Sequence, residues 1–172
     1  MALTVLLGGA RSGKSALALR RAEASGAPVV FVATGEAGDE EMAGRIARHR
    51  AERDPAWRTV EAPSDLAAAL ESAPPSACVV VDCLSLWVAN LVQGGLGEAE
   101  VVARAEQTAA LAADRAGATI AVSNEVGMGV VPEFELGRRY RDALGRVNAA
   151  WAARADEALL VVAGQALTLG AA

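Results

Sequence analysis

Near its start the chain reads Gly8-Gly9-Ala10-Arg11-Ser12-Gly13-Lys14-Ser15, which fits the phosphate-loop spacing G-x-x-x-x-G-K-[ST]. The flanks make that spacing restrictive. An apolar run from Leu3 to Leu7 stops at Gly8-Gly9, and from Lys14 an Ala/Leu/Arg pattern continues to Ala24 before Ser25-Gly26 ends it. Strand, glycine loop and helix thus follow in the order a phosphate cradle needs. Glycines let the backbone curl until its N–H groups face phosphate oxygens, and the helix amino terminus adds positive potential. Gly8, Gly9, Ala10, Arg11, Ser12 and Gly13 are then backbone ligands of a nucleotide. Lys14 is the catalytic cation that neutralises β/γ charge, and Ser15 is a candidate Mg²⁺ ligand. The competing reading is a chance glycine turn.

A second apolar run, Val29 to Ala33, completes a β-α-β unit, for which a right-handed crossover is expected. Further buried-type runs occur at Cys78 to Asp82, Ala118 to Ser123 and Ala158 to Ala163. Helical patterns lie between them at Asp39 to Arg53, Ser64 to Glu71, Leu84 to Val92, Glu98 to Ala116 and Leu136 to Ala155, and Trp57 to Glu61 can add an edge strand. The alternation predicts an α/β fold with a mostly parallel central sheet flanked by helices. At 172 residues the chain suffices for one substantial core, so residues 1–172 are read as one domain. Cys78 and Cys83 flank Val79-Val80-Val81 and are read as buried thiols rather than as a disulfide or metal pair.

A net charge of −5 argues against a nucleic-acid surface, because phosphate backbones are held by clustered cations. Lys14 is the chain's sole lysine among 16 basic residues. Nearly all other fixed positive charge is guanidinium, suited to bidentate phosphate contacts. The amino-terminal apolar stretch is short and lacks a basic leader, which predicts no signal peptide or membrane span and a cytoplasmic location.

Asp82 closes the strand Val79-Val80-Val81, where a carboxylate can hold Mg²⁺ directly or through water; a helix cap before Leu84 is the alternative. His49 is the only histidine. At about 100° per residue, Ile46, His49 and Arg53 fall on the same side of their helix as Met42. A core histidine satisfies that placement. Yet Arg45, Arg48, Arg50 and Arg53 surround it within two turns, a density suited to polyphosphate. A solvated cationic face balanced by Glu40, Glu41 and Glu52 is the bland reading.

Taken together, positions 8 to 15, Ala33-Thr34-Gly35, the run from Asp39 through His49 to Trp57-Arg58-Thr59-Val60-Glu61, Val81-Asp82-Cys83-Leu84 with Trp87 and Asn90, and Ser123-Asn124-Glu125-Val126-Gly127 give a resemblance over essentially the whole chain. The chain resembles the bifunctional adenosylcobinamide kinase/adenosylcobinamide-phosphate guanylyltransferase family of cobalamin biosynthesis. The resemblance implies a P-loop NTPase fold of RecA-like type, ATP and GTP as substrates, Mg²⁺ as cofactor, and a homotrimer. It implies phosphorylation of adenosylcobinamide, then attack of His49 on the α-phosphorus of GTP and transfer of GMP to adenosylcobinamide phosphate. By the same resemblance Gly8 to Ser15, Ala33, Thr34, Gly35, Arg50, Ala51, Glu52, Arg53, Glu61 and Asp82 contact the nucleotide or its metal. Asp82 departs from the glutamate often found there, one methylene longer, which favours a metal contact through water.

Other residues stay open. Glu61 can accept from guanine N1–H and N2–H or simply be exposed. Glu125 is a candidate base at a strand end, and the glycines of the loop from Ser123 to Pro132 allow close approach or mobility. Arg138, Arg139 and Arg141 beside Tyr140 can bind a phosphate or form a solvated face. Two other functions fit the same residues: a small-molecule kinase without a covalent intermediate, and a nucleotide-dependent regulatory or assembly module.

Overall fold

The computed structural model describes residues 3–51 and 53–170, with the side chain of Arg45 outside the description. Glu52, expected among the nucleotide contacts, therefore lies outside the described residues. The elements run β1 (Leu3–Gly8), α1 (Lys14–Ala24), β2 (Val29–Ala33), α2 (Glu40–Ala51), β3 (Arg58–Glu61), α3 (Leu66–Ser72), β4 (Cys78–Asp82), α4 (Leu84–Gln93), α5 (Glu98–Asp114), β5 (Thr119–Asn124), α6 (Glu135–Arg154), β6 (Glu157–Val162) and β7 (Gln165–Leu169). The seven strands form one sheet in the order β3-β2-β4-β5-β1-β6-β7. The pairings are parallel except the antiparallel β6–β7 hairpin.

Alternation along the strands builds two apolar layers. Leu3, Val5, Leu7, Val30, Val32, Val79, Val81 and Ala121 face the layer that also holds Leu70, Trp87, Val101, Leu144 and Trp151. Leu6, Val29, Phe31, Cys78, Val80, Ile120 and Val122 face the opposite layer, with Ala18 and Ala22 of α1. Because helices cover both faces, strands are apolar on both sides and read as continuous runs. Cys78 and Cys83 are free and buried, as expected.

The edge strand expected at Trp57 to Glu61 is present as β3. No strand was expected after β6. Ala163 and Gly164 adopt φ values of 50° and 77°, and Val162 pairs with Gln165. Two successive positive φ values make the tight reversal whose twist suits a hairpin. The five residues of β7 are exposed, so it carries no core-facing alternation from which a reader could infer it. Among the described residues no helix is long and apolar enough to cross a membrane.

Candidate active site at the carboxyl edge of the sheet

Parallel strands bring their carboxyl ends to one edge. There Gly8 pairs in register with Asn124, Ala33 with Glu61 on one side, and Ala33 with Asp82 on the other. Residues far apart in sequence thus share one rim.

The loop between β1 and α1 is tightly built. A Cβ on Gly8 would lie 2.2 Å from the Val161 carbonyl oxygen, and Gly8 itself has φ of 152°. Gly13 takes φ of 99° at the amino end of α1. The loop is also braced by distant chain: Gly164 N–H donates to the Ser12 carbonyl (2.9 Å), and Glu125 N–H donates to the Gly8 carbonyl (3.0 Å). Lys14 is only 6% exposed, and its ammonium donates to the Gly9 carbonyl at 2.7 Å and to Ser12 Oγ at 3.4 Å. Burial lowers its pKa, and the nearby Cys83 and Asp82 oppose the shift. Ser15 is half-buried in the first turn of α1, while Gly9, Ala10 and Arg11 are exposed.

Asp82 ends β4 with a side chain 12% exposed. It is not a helix cap: α4 begins after Cys83, which makes no side-chain cap bond. The Thr34 hydroxyl fixes the turn beyond Asp82, donating to the Cys83 carbonyl at 2.7 Å and accepting from Cys83 N–H at 2.8 Å. Asn90 in turn donates to the carbonyls of Thr34 and Pro63, and the Trp87 indole donates to Ser64. Thr34 is therefore wholly buried, its hydroxyl spent on this turn.

α2 leans over this rim because Gly35 lets it. A Cβ there would meet Leu86 at 3.2 Å and Ile46 at 3.7 Å. His49, in the last turn, places Nδ1 3.7 Å from Asp82 Oδ2, with the imidazole 40% exposed. That separation is an ion-pair approach, longer than a hydrogen bond. The helix ends at Ala51, two residues before Arg53, so helical periodicity does not govern Arg53. Its guanidinium instead stacks on Phe31, 3.5 Å from the ring centroid. Burial lowers the Arg53 pKa, with Asp82 opposing and Arg50 adding to the shift. Arg53 Nε is buried and has no hydrogen-bond partner among the described residues. Arg50 pairs with Glu61 at 2.9 Å, both well exposed, and Arg48 and Ala51 face solvent.

Other candidates are engaged elsewhere. Glu125 Oε1 accepts from Gly127 N–H at 2.6 Å. Arg138 donates to the carbonyls of Pro132 and Glu133, Arg139 to that of Leu96, and Arg141 pairs with Asp142. Two open depressions of about 420 and 460 Å³ lie along α5 and α6, sharing Glu98 and Arg146; the first also touches Gly127, and neither is lined by the phosphate loop, Asp82 or His49.

Sequence reading did not single out Ser85 or Asn148 as part of this rim, nor give Asn124 a role. Ser123 Oγ donates to Asn148 Oδ1 (2.6 Å), Asn148 Nδ2 to the Asn124 carbonyl (3.0 Å), and Asn124 Nδ2 to Ser85 Oγ (3.0 Å). The available signal was the polar Ser123-Asn124 pair closing an apolar strand.

A glycine cradle at a helix amino terminus, one buried lysine and a carboxylate ending a nearby parallel strand define a P-loop nucleotide-binding protein. The fold agrees: the RadB recombinase superposes with a TM-score of 0.50 at 18% identity, over 92% of this chain and 73% of that one. The family model for cobinamide kinase / cobinamide phosphate guanyltransferase matches residues 4–169, and the chain belongs to that family of enzymes in cobalamin biosynthesis. It is 47% identical over 171 residues to the bifunctional adenosylcobalamin biosynthesis protein CobP of Pseudomonas aeruginosa, covering 96% of this chain and 95% of that protein. It is 39% identical over 178 residues to the bifunctional adenosylcobalamin biosynthesis protein CobU of Escherichia coli, covering 94% and 96%.

Proposed function

We propose that this chain phosphorylates adenosylcobinamide with ATP or GTP and then transfers GMP from GTP through His49, working as a single cytoplasmic domain in a homotrimer. The observation that carries the reading is the placement of the chain's only histidine beside Asp82, on the rim that also holds Lys14. In the first step the acceptor hydroxyl oxygen bonds to the γ-phosphorus and the nucleoside diphosphate leaves. In the second, an imidazole nitrogen attacks the α-phosphorus, the α–β phosphoanhydride breaks, and pyrophosphate leaves with the bonding pair. An oxygen of adenosylcobinamide phosphate then attacks the same phosphorus, and the P–N pair returns to the imidazole. A carboxylate on the Nδ1 side favours the tautomer whose lone pair lies on Nε2, the attacking atom.

Lys14 balances the charge of the leaving polyphosphate, with the Gly8-to-Ser15 backbone around it. Arg53, stacked and partly desolvated, offers its guanidinium to an anion at lower desolvation cost than an exposed arginine. Arg50, Ala51 and Glu61 would contact the purine end of the nucleotide, with Ala33, Thr34 and Gly35 beneath it. Ser15 and Asp82 form an all-oxygen donor set that suits Mg²⁺, a cation that keeps several waters and takes the rest of its ligands from phosphate. The ion would supply charge neutralisation across the phosphates.

Incubation of the protein with GTP and Mg²⁺, followed by intact-mass measurement under mild alkaline conditions, is expected to give a GMP-sized gain that ATP does not reproduce. The gain is expected to vanish in His49→Ala. An unmodified mass despite GTP binding would leave a kinase without a covalent intermediate.

A further inference from the structure

β5 lies between β4, which carries Asp82, and β1, which carries the phosphate loop. Its last residue, Asn124, pairs in register with Gly8, and Val122, two residues back, pairs with Asp82. Whatever side chain ends β5 must therefore stand at the rim between the phosphate cradle and the carboxylate.

Asn124 is held there from behind. Ser85 and Ser123 are 1% and 0% exposed and Asn148 is 4% exposed, so a polar chain is buried where apolar groups would otherwise pack. Such a chain costs stability unless each member is bonded, and here the bonds run in series to Asn124. The Asn124 carbonyl is tied to Asn148 and one amide N–H to Ser85 Oγ, which also meets Cys83 Sγ at 2.9 Å. A carboxamide has two N–H donors and one acceptor oxygen. Among the described residues the second N–H and Oδ1 of this half-exposed side chain have no partner.

We propose that Asn124 is a catalytic residue of the kinase step alone. Its second N–H donates to a γ-phosphoryl oxygen and its Oδ1 accepts from the acceptor hydroxyl, aiming that oxygen at phosphorus. The acceptor oxygen forms the new O–P bond, the bond from γ-phosphorus to the bridging oxygen breaks with its pair departing on the diphosphate, and the hydroxyl proton passes to water. In guanylyl transfer the reacting atom is the α-phosphorus, and the γ-phosphoryl group leaves unreacted within pyrophosphate. Ser85 is a positioning residue, acting only through the Asn124 amide. The inference rests on the bifunctional reading above.

The test uses the full chain and follows both halves on one preparation: phosphorylation of adenosylcobinamide by γ-labelled nucleotide, and the GMP adduct by mass. In Asn124→Ala, kcat for phosphorylation is expected to fall about 100-fold or more, as for loss of one preorganised donor, with KM for nucleotide within about threefold. The adduct is expected to form at the wild-type rate, which also reports a folded site. Ser85→Ala should give a smaller kcat loss with the same split. Equal loss in both halves would make Asn124 scaffold, and no loss in either would remove it from the site; each overturns the proposal. A wild-type protein that forms the adduct but does not phosphorylate would instead fail the kinase half of the function, and Asn124's role with it.

Discussion

Tyr140 shows how burial on α6 tunes a single group. Burial, with a further push from Cys83 across the α4 interface, raises its pKa to about 12, from 10.0 in an unperturbed phenol. The folded state therefore keeps the phenolic proton through a range in which the unfolded chain has lost it. With more protons bound in the folded state, stability falls as pH rises from about 10 to about 12. The sequence contains one tyrosine, so phenolate absorbance reports this residue alone. The expected result is a transition near pH 12 in the folded protein that shifts toward 10 in denaturant, and a shallower alkaline slope in Tyr140→Phe, the remainder belonging to the Cys78 and Cys83 thiols, whose pKa values burial also raises. Lys14 illustrates the opposite choice: its pKa is lowered by burial, a cost that a polyphosphate bound as proposed would offset by restoring a counter-charge.

At the scale of elements, small residues decide how closely helices approach. α5 presents Val101, Ala105, Ala109 and Ala112 to the core, each fully buried, and Arg146 of α6 pairs with Glu98 at its start. A Leu at position 109 would need room that the interior does not have. Ala109→Leu is expected to cost about 1–3 kcal/mol in urea unfolding. Because α5 lies away from the rim, nucleotide affinity of the folded variant should be unchanged, measured by titration. The same scale explains what the sequence disclosed. The phosphate loop, β2, β4 and α1 were legible because their signals are local: a fixed spacing, apolar runs and a helix ending at Ser25-Gly26. The approach of His49 to Asp82 depended on where α2 leans, which Gly35 and Ile46 settle in three dimensions. The Ser123–Asn148–Asn124–Ser85 chain joins residues from β5, α6 and α4, and serine or asparagine carries no local mark of such a partnership. Arg53 was expected on a helical face, but the helix ended first and an aromatic ring took its guanidinium.

The whole molecule is closed by its last hairpin. β6 pairs directly with β1, and β7 pairs, among the described residues, with β6 alone, yet the turn between them reaches the Ser12 carbonyl through Gly164 while the end of β6 abuts Gly8. A chain cut after residue 162 removes that brace while keeping every residue of the phosphate motif. It is expected to remain largely folded by circular dichroism and to bind GTP at least tenfold more weakly by calorimetry, since a loop that must be ordered on binding loses affinity to that ordering. During synthesis the nucleotide motif leaves the ribosome well before the strand and turn that shape it. An unfinished chain thus carries the letters of a nucleotide site without its form, so an abortive product would have little means of consuming GTP.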